Sequence, residues 1–80
     1  MKSVTVKYFA LFRERAGTAE EALTTDATTV AELFRSLQHR HGSADSVSHC
    51  KVAINDEMAS WDDLIEDGDT VLLFPPVAGG

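Results

Sequence analysis

The first ten residues alternate between apolar and polar side chains. Val4, Val6 and Tyr8 occupy every second position. A period of two places such residues on one face of a β-strand. We therefore predict a strand over residues 2–10, with its apolar face against a core.

Two less regular segments follow this strand. Residues 11–17 are short and end at a glycine, which is typical of a single helical turn or a loop. Residues 18–25 contain several β-branched threonines and fit a second strand that pairs with the first. In that arrangement Glu20 and Glu21 would face water.

The clearest predicted element is a helix that begins near Thr29. Thr29 and Glu32 have the spacing of a capping box, in which each side chain accepts a hydrogen bond from the other residue's backbone N–H. Gly42 can end the helix in the left-handed conformation, and residues 43–49 read as a polar loop. Apolar residues with helical spacing form one stripe for burial against a sheet: Val30, Leu33, Phe34 and Leu37.

The remaining residues up to 74 predict two further strands. Residues 50–54 fit a third strand, which the turn formers at 55–56 close. Residues 58–65 fit a short connection. The tight turn at 67–69 leads into a run of apolar and β-branched residues, 70–74, that suits a central strand.

The order strand, strand, helix, strand, strand predicts an α+β domain whose mixed sheet packs on one helix. With 80 residues, 44% of them apolar and 25% charged, the chain has room for one small core. We therefore predict one domain over residues 1–74, followed by an extended tail over residues 75–80.

Composition narrows the classes of protein that need consideration. The longest apolar run, Val71–Phe74, is far shorter than the roughly 20 residues that span a bilayer. The N-terminus lacks the pattern of a secretory signal, so we expect a cytoplasmic protein that makes no membrane contact. The one cysteine, Cys50, can form neither an internal disulfide nor a multi-cysteine metal cage. We predict no metal site and no catalytic site made by this chain alone.

Charge is distributed unevenly along the chain. The net charge is −6, yet all seven lysines and arginines lie between Lys2 and Lys51. Residues 52–80 contain seven acidic residues and no lysine or arginine. This distribution argues against nucleic acid as a partner. It fits either a basic protein partner or an acidic surface that only keeps the chain soluble.

The last six residues have an unusual composition. Pro75 and Pro76 end the last strand and project the chain as a stiff extended segment. Residues 77–80 then decrease in side-chain size to two glycines, a filament that fits a narrow channel. Fully extended, the six residues reach at most about 20 Å, enough to enter the active site of a neighbouring protein.

The α-carboxylate of Gly80 is the functional group at this tip, and it is a poor electrophile until it is activated. A mixed anhydride with AMP would let sulfur or an amine attack the carbonyl. The alternative is that Gly79 and Gly80 form a frayed end of the kind common at chain termini.

Five segments of the chain resemble one known family. They are VKYFA at residues 6–10, followed by Arg13, Glu14 and Gly17, then TVAEL at 29–33, VAIN at 52–55, DGDTV at 67–71 and FPPVAGG at 74–80. On these motifs the sequence resembles the small subunits of molybdopterin synthase, which are sulfur carriers with the ubiquitin-like β-grasp fold. The last motif is the most specific.

The resemblance implies a function for the tail. The reactive end consists of Gly79 and Gly80. A ubiquitin-activating-like adenylyltransferase would use ATP to adenylate the carboxylate of Gly80. A sulfur donor protein would then convert the acyl-adenylate to a thiocarboxylate. The tail would then insert into the large synthase subunit, in a heterotetramer, and give its sulfur to cyclic pyranopterin monophosphate. The chain would be a stoichiometric reactant and not an enzyme by itself.

The resemblance also implies two sets of partner-binding residues. Arg13 and the turn that contains Asp67 and Asp69 would face the activating enzyme. The set implied to contact the large subunit comprises Phe74, Pro75, Pro76, Val77 and Ala78.

Three alternatives remain at this point. A sulfur carrier for thiamine thiazole synthesis shares the fold and the Gly-Gly ending, but such proteins tend to lack the Phe-Pro-Pro segment. A ubiquitin-like modifier would use the same terminus to form isopeptide bonds with lysines, and a noncovalent adaptor would need no reaction there.

Phe9, Phe12 and Trp61 are predicted core or rim residues, with an apolar docking patch as the alternative.

Overall fold

A computed structural model describes residues 1–41 and 50–74, which form a five-stranded sheet and two helices. The strand order is β2-β1-β5-β3-β4; β1 and β5 are parallel, and the other neighbouring pairs are antiparallel. The predicted mixed sheet is confirmed. In chain order the elements are β1 (Lys2–Tyr8), α1 (Leu11–Ala16), β2 (Glu20–Thr25), α2 (Val30–His41), β3 (Lys51–Ile54), β4 (Glu57–Ala59) and β5 (Thr70–Phe74).

The core lies between α2 and one face of the sheet. All four residues of the predicted helical stripe are buried, as are Val4, Val6 and Tyr8 of β1. Val71 and Leu73 of the central strand β5 are buried beside them. Because full burial of one large apolar side chain contributes about 1.5–3 kcal/mol, this contact between helix and sheet dominates the stability of the domain.

The start of α2 follows the predicted capping pattern with one difference. The Glu32 N–H donates to Thr29 Oγ1 at 3.3 Å, as expected. Glu32 Oε2, however, accepts its hydrogen bond from the N–H of Thr28, at 2.8 Å, and not from that of Thr29. The predicted helix end at Gly42, the loop over residues 43–49 and the tail over residues 75–80 lie outside the described residues.

Strand β1 ends two residues earlier than predicted because the backbone reverses at Ala10. Ala10 has φ 50° and ψ −122°, and the Phe12 N–H donates to the Phe9 carbonyl at 3.1 Å. These angles are those of the first central residue of a type II′ turn, a position that favours glycine. Helix α1 follows and ends at Gly17, whose φ of 75° gives a left-handed cap.

The structure corrects the environment predicted for one acidic side chain of β2. The strand pairs with β1 as predicted, and Glu20 is exposed. Glu21, however, is half-buried and accepts a hydrogen bond from the Tyr8 hydroxyl. Its register partner is Val6, which points into the core, so Glu21 shares that face and does not face water.

One strand was not predicted. Residues 58 and 59 belong to the stretch expected to be a connection, yet with Glu57 they form β4 and pair antiparallel with β3. Asn55 and Asp56, with φ values of 52° and 70°, make the two-residue hairpin turn between these strands. The turn is visible in the sequence, but a three-residue strand carries too little alternation to be recognised.

The three aromatic residues predicted at core or rim lie in different environments. Phe12 is buried and contacts Phe34 edge-on, and the Trp61 ring lies 4.9 Å from the Phe34 ring, measured between centroids. Phe9 is among the exposed large apolar residues. Neither helix of the described ranges has the length and apolar character needed to cross a membrane.

We expect the substitution Ala10→Gly to stabilise the domain by about 1 kcal/mol, because glycine adopts the angles observed at Ala10 without steric cost. The measurement is the midpoint of urea unfolding. Ala22→Gly is the matched control: Ala22 is exposed in β2, and glycine in a strand costs about 0.5–1 kcal/mol. Equal losses in the two variants would show that the turn at Ala10 is unstrained.

Candidate functional site

The site is built around the point where the central strand ends. Strand β5 runs parallel to β1 and antiparallel to β3, so Leu73 lies opposite Tyr8, and Phe74 lies opposite Lys51. We call this part of the sheet, where β1 and β5 end and β3 begins, the exit end. The segment 75–80 follows Phe74 directly in the chain.

Two aromatic rings stack at the exit end. The rings of Phe9 and Phe74 are 4.7 Å apart between centroids and inclined by 18°. Such a stacked pair is worth about 0.5–1.5 kcal/mol beyond the area it buries. Phe9 nevertheless remains 38% exposed, so the pair has a surface that another molecule can contact.

Phe74 belongs to an apolar stripe on the sheet face opposite α2, which we call the open face. Val71 and Leu73 point into the core, so strand alternation directs Leu72 and Phe74 to the open face. The register places Ala53 beside Leu72 and Met58 beside Ala53. The stripe therefore runs across the sheet from Phe9 and Phe74 to Leu72, Ala53 and Met58.

The stripe differs in exposure along its length. Leu72 is 9% exposed and Ala53 is 3% exposed, whereas Met58 at the edge strand is 68% exposed. Neither α1 nor α2 covers this face. The stripe is thus exposed at its two ends, at Phe9 and at Met58, while its middle is buried. Exposed apolar surface rimmed by polar residues is typical of interaction sites, and Lys7 and Lys51 flank the stripe by alternation.

Arg13 is the predicted site residue that the fold brings to the exit end. It lies on α1 with its side chain exposed. Together with Lys7 and Phe9 it lines a shallow cleft of about 290 Å³. The turn at Ala10 produces this arrangement, because it folds α1 back beside the end of β1.

The fold places Asp67 and Asp69 at the opposite end of β5. They precede Thr70, and five residues of strand span about 13 Å between that end and Phe74. Arg13 and the acidic turn therefore do not form one cluster. A partner that contacts both must extend along the sheet.

Both carboxylates hold the turn in place. Asp67 Oδ1 accepts the Ser3 N–H at 2.6 Å, and Asp69 accepts the Glu66 N–H at 2.8 Å. The side chain of Asn55 joins this turn to the β3–β4 hairpin: its Nδ2 donates to Asp69 at 3.0 Å, and its Oδ1 accepts the Thr70 N–H at 2.9 Å.

Sequence reasoning does not identify the open-face residues Leu72, Ala53 and Met58. A central strand is expected to be buried on both faces, which hides Leu72 in the run from Val71 to Leu73. The available signal is topological: one predicted helix can cover only one face of a sheet. The other predicted tail residues, Pro75 to Gly80, lie outside the described residues and stay predictions.

The strand order and the packing of one sheet face on α2 define the class of protein: a ubiquitin-like β-grasp domain. The crystal structure of SAMP1 from Haloferax volcanii has the same fold, with a TM-score of 0.78 and 30% identity, over 98% of this chain and 99% of the other. The sequence matches the ThiS family over residues 6–80. The chain therefore belongs to the ThiS family.

Two further comparisons bear on function. The molybdopterin synthase sulfur carrier subunit of Escherichia coli strain K12 is 34% identical over 80 residues, which cover 96% of this chain and 99% of the relative. A protein–protein complex of subunits 1 and 2 of the molybdopterin-converting factor from Helicobacter pylori contains a chain with 28% identity and a TM-score of 0.65. That match covers 98% of this chain and 99% of the other.

We predict that Asn55→Ala destabilises the domain by about 2–3 kcal/mol, because it removes two hydrogen bonds and forces alanine to a φ of 52°. The midpoint of urea unfolding measures the loss. Asn55→Gly separates the two causes, since glycine tolerates this φ and should cost only about 1 kcal/mol. If both variants unfold at the same midpoint, the backbone strain makes no contribution.

Proposed function

We propose that this chain is the sulfur carrier subunit of a molybdopterin synthase and that the carboxyl group of Gly80 carries the sulfur. The observation that supports this most directly is the likeness, over nearly the full length of both chains, to a protein with that function. The family match extends to Gly80. Phe74, after which the tail continues in the sequence, also stacks on the exposed ring of Phe9, as a tail delivered to a partner requires.

The proposed chemistry begins with activation. One carboxylate oxygen of Gly80 attacks the α-phosphorus of ATP in an adenylyltransferase, and pyrophosphate leaves. A hydrosulfide equivalent from a sulfur donor protein then attacks the acyl carbon, and AMP leaves with the bonding electron pair. Gly80 now ends in a thiocarboxylate, with no net oxidation or reduction at carbon.

The thiocarboxylate sulfur is a soft anionic nucleophile. We propose that it attacks a side-chain carbon of cyclic pyranopterin monophosphate inside the large subunit and displaces an oxygen from that carbon, as water or phosphate. Water then cleaves the bond between the acyl carbon and sulfur, which releases the carrier as a carboxylate and leaves the sulfur on the pterin. Two such transfers supply the two sulfurs of the dithiolene. Two glycines at the tip suit this delivery, because a filament without side chains enters a channel that also shields the thiocarboxylate from water and oxidants.

The proposed partner surface combines the exit end with the stripe on the open face. Phe74, together with Phe9 and Leu72, would contact the large subunit, and residues 75–78 would lead into its channel. The Helicobacter pylori complex supports a second subunit as partner, and a heterotetramer is the proposed assembly. Arg13 would face the activating enzyme, and Asp67 and Asp69 would contribute only if that enzyme extends along the sheet.

A protein modifier is the second candidate, because SAMP1 of Haloferax volcanii, a small archaeal modifier protein, has the same fold at 30% identity. In that case a lysine amine, and not sulfur, would attack the acyl-adenylate, and an isopeptide bond would form. A carrier for thiamine thiazole synthesis would form the same thiocarboxylate and differ in the acceptor. The family match alone does not distinguish a lysine, a thiazole precursor and a pterin as the acceptor. The likeness to the sulfur carrier subunit from Escherichia coli supports the pterin.

We expect that one alanine added after Gly80 abolishes sulfur loading, because the extra Cβ and the displaced carboxylate do not fit a site shaped for a terminal glycine. Intact mass, measured after incubation with the activating enzyme, ATP and the sulfur donor, should show oxygen-to-sulfur exchange in the unmodified chain only. An alanine added before Met1 is the matched control and should load normally. Sulfur loading of the C-terminally extended chain would refute the assignment, and adducts on lysines would identify a modifier.

We also expect Phe9→Ala to weaken binding to the large subunit by at least about tenfold, since a half-exposed aromatic at the centre of an interface is a typical hot spot. Calorimetric titration measures the dissociation constant. Leu64→Ala removes an exposed apolar side chain outside the stripe and should leave this affinity unchanged. Equal weakening by both substitutions would contradict the proposed docking surface.

A further inference from the structure

A second surface lies at the other end of the sheet from the tail. Strand β4 and the loop before β5 enclose an open cleft of about 630 Å³. Its lining combines apolar and acidic side chains, chiefly Glu57, Met58, Asp63, Leu64, Glu66 and Asp69. We propose that this acidic cleft binds a segment of a partner protein in which lysines or arginines flank an apolar side chain.

The exposed apolar residue Leu64 lies on a backbone segment that hydrogen bonds hold in place. Leu64 is 66% exposed, although its backbone bridges to Thr29 and the next residue, Ile65, is buried in the core. The Ile65 N–H also donates to the Thr28 carbonyl at 3.1 Å. Leu64 therefore cannot turn inward without breaking these contacts. With Met58 it offers an apolar contact surface inside the cleft.

The acidic component consists of carboxylates that differ in their hydrogen bonding. Asp63 accepts the Ser60 N–H at 3.0 Å, and Asp69 is part of the turn described above. Within residues 1–41 and 50–74, the carboxylates of Glu57 and Glu66 make no hydrogen bond and no ion pair. The sequence from residue 52 onward contains no lysine or arginine to neutralise them. Their unbalanced charge attracts a cationic group at little cost in displaced contacts.

The negative charge and the apolar side chains of the cleft determine which kind of partner can bind there. The carboxylates repel phosphate groups, which excludes nucleic acid and anionic lipid surfaces. An apolar side chain on the partner would contact Leu64 and Met58, while cations on either side of it would meet Glu57 and Glu66. The cleft lies toward the Thr70 end of β5 and the exit end lies at Phe74, and the cleft adjoins the open-face stripe at Met58. This inference does not depend on the proposed function.

The probe is a short synthetic peptide, Lys-Leu-Lys-Leu-Lys, titrated into the full-length ¹⁵N-labelled chain without any other protein. We expect amide shifts concentrated in residues 54–69 and an affinity that falls as salt is added. Peptides with serine in place of leucine, or glutamate in place of lysine, should bind much more weakly. Shifts spread over all the acidic positions, or equal binding of the serine peptide, would overturn the proposal.

Matched variants locate the site. A variant that combines Glu57→Gln with Glu66→Gln should bind the peptide about tenfold more weakly, because two partly screened ion pairs are lost. Glu14→Gln with Glu20→Gln changes the net charge equally, uses exposed side chains outside the cleft and should change affinity less than about twofold. Leu64→Ser should weaken binding by about fivefold with an unchanged fold.

Equal effects of the two glutamine pairs would refute the proposal. So would cleft shifts that appear without peptide as the protein concentration rises, because a second copy of this chain would then be the occupant.

Discussion

The contact between the apolar stripe of α2 and one face of the sheet is the constraint on which the rest of the structure depends. In the part of the chain that the structure describes, one long helix packs on the five-stranded sheet, and it covers only one face. The strands must then carry two kinds of surface. Val71 and Leu73 serve the core, whereas Leu72 and Phe74 between and after them form the open face. The apolar stripe on the face that α2 does not cover is thus a consequence of how the core is built.

Strand β5 connects the two ends of the molecule that carry function in our proposals. It is central in the sheet and paired on both sides, so its direction is determined by β1 and β3. The acidic turn precedes it, and the tail follows it. The five residues of β5 place Phe74 about 13 Å from the acidic turn, so the exit end and the acidic cleft lie toward opposite ends of this strand.

The arrangement of the aromatic residues at the exit end and the strained backbone of Ala10 both result from the sharp turn between β1 and α1. The chain must pass from β1 into α1 within three residues so that Phe12 reaches the core and Phe9 remains beside Phe74. The positive φ of Ala10 provides this sharp reversal. A position that favours glycine but holds alanine, beside the exit end, is typical of backbone strain that is retained where geometry matters.

The periodic patterns of the sequence were sufficient to identify β1, α2, β3 and β5, and its terminal motif was sufficient to suggest sulfur transfer, because these features depend on residues that are neighbours in the chain. The strand β4, the inward position of Glu21 and the open-face stripe depended on register and strand order, which bring together residues far apart in sequence. The separation of Arg13 from Asp67 and Asp69 had the same cause. Alternation shows which residues share a face of a strand, but only the packing of the single long helix decides which face remains uncovered.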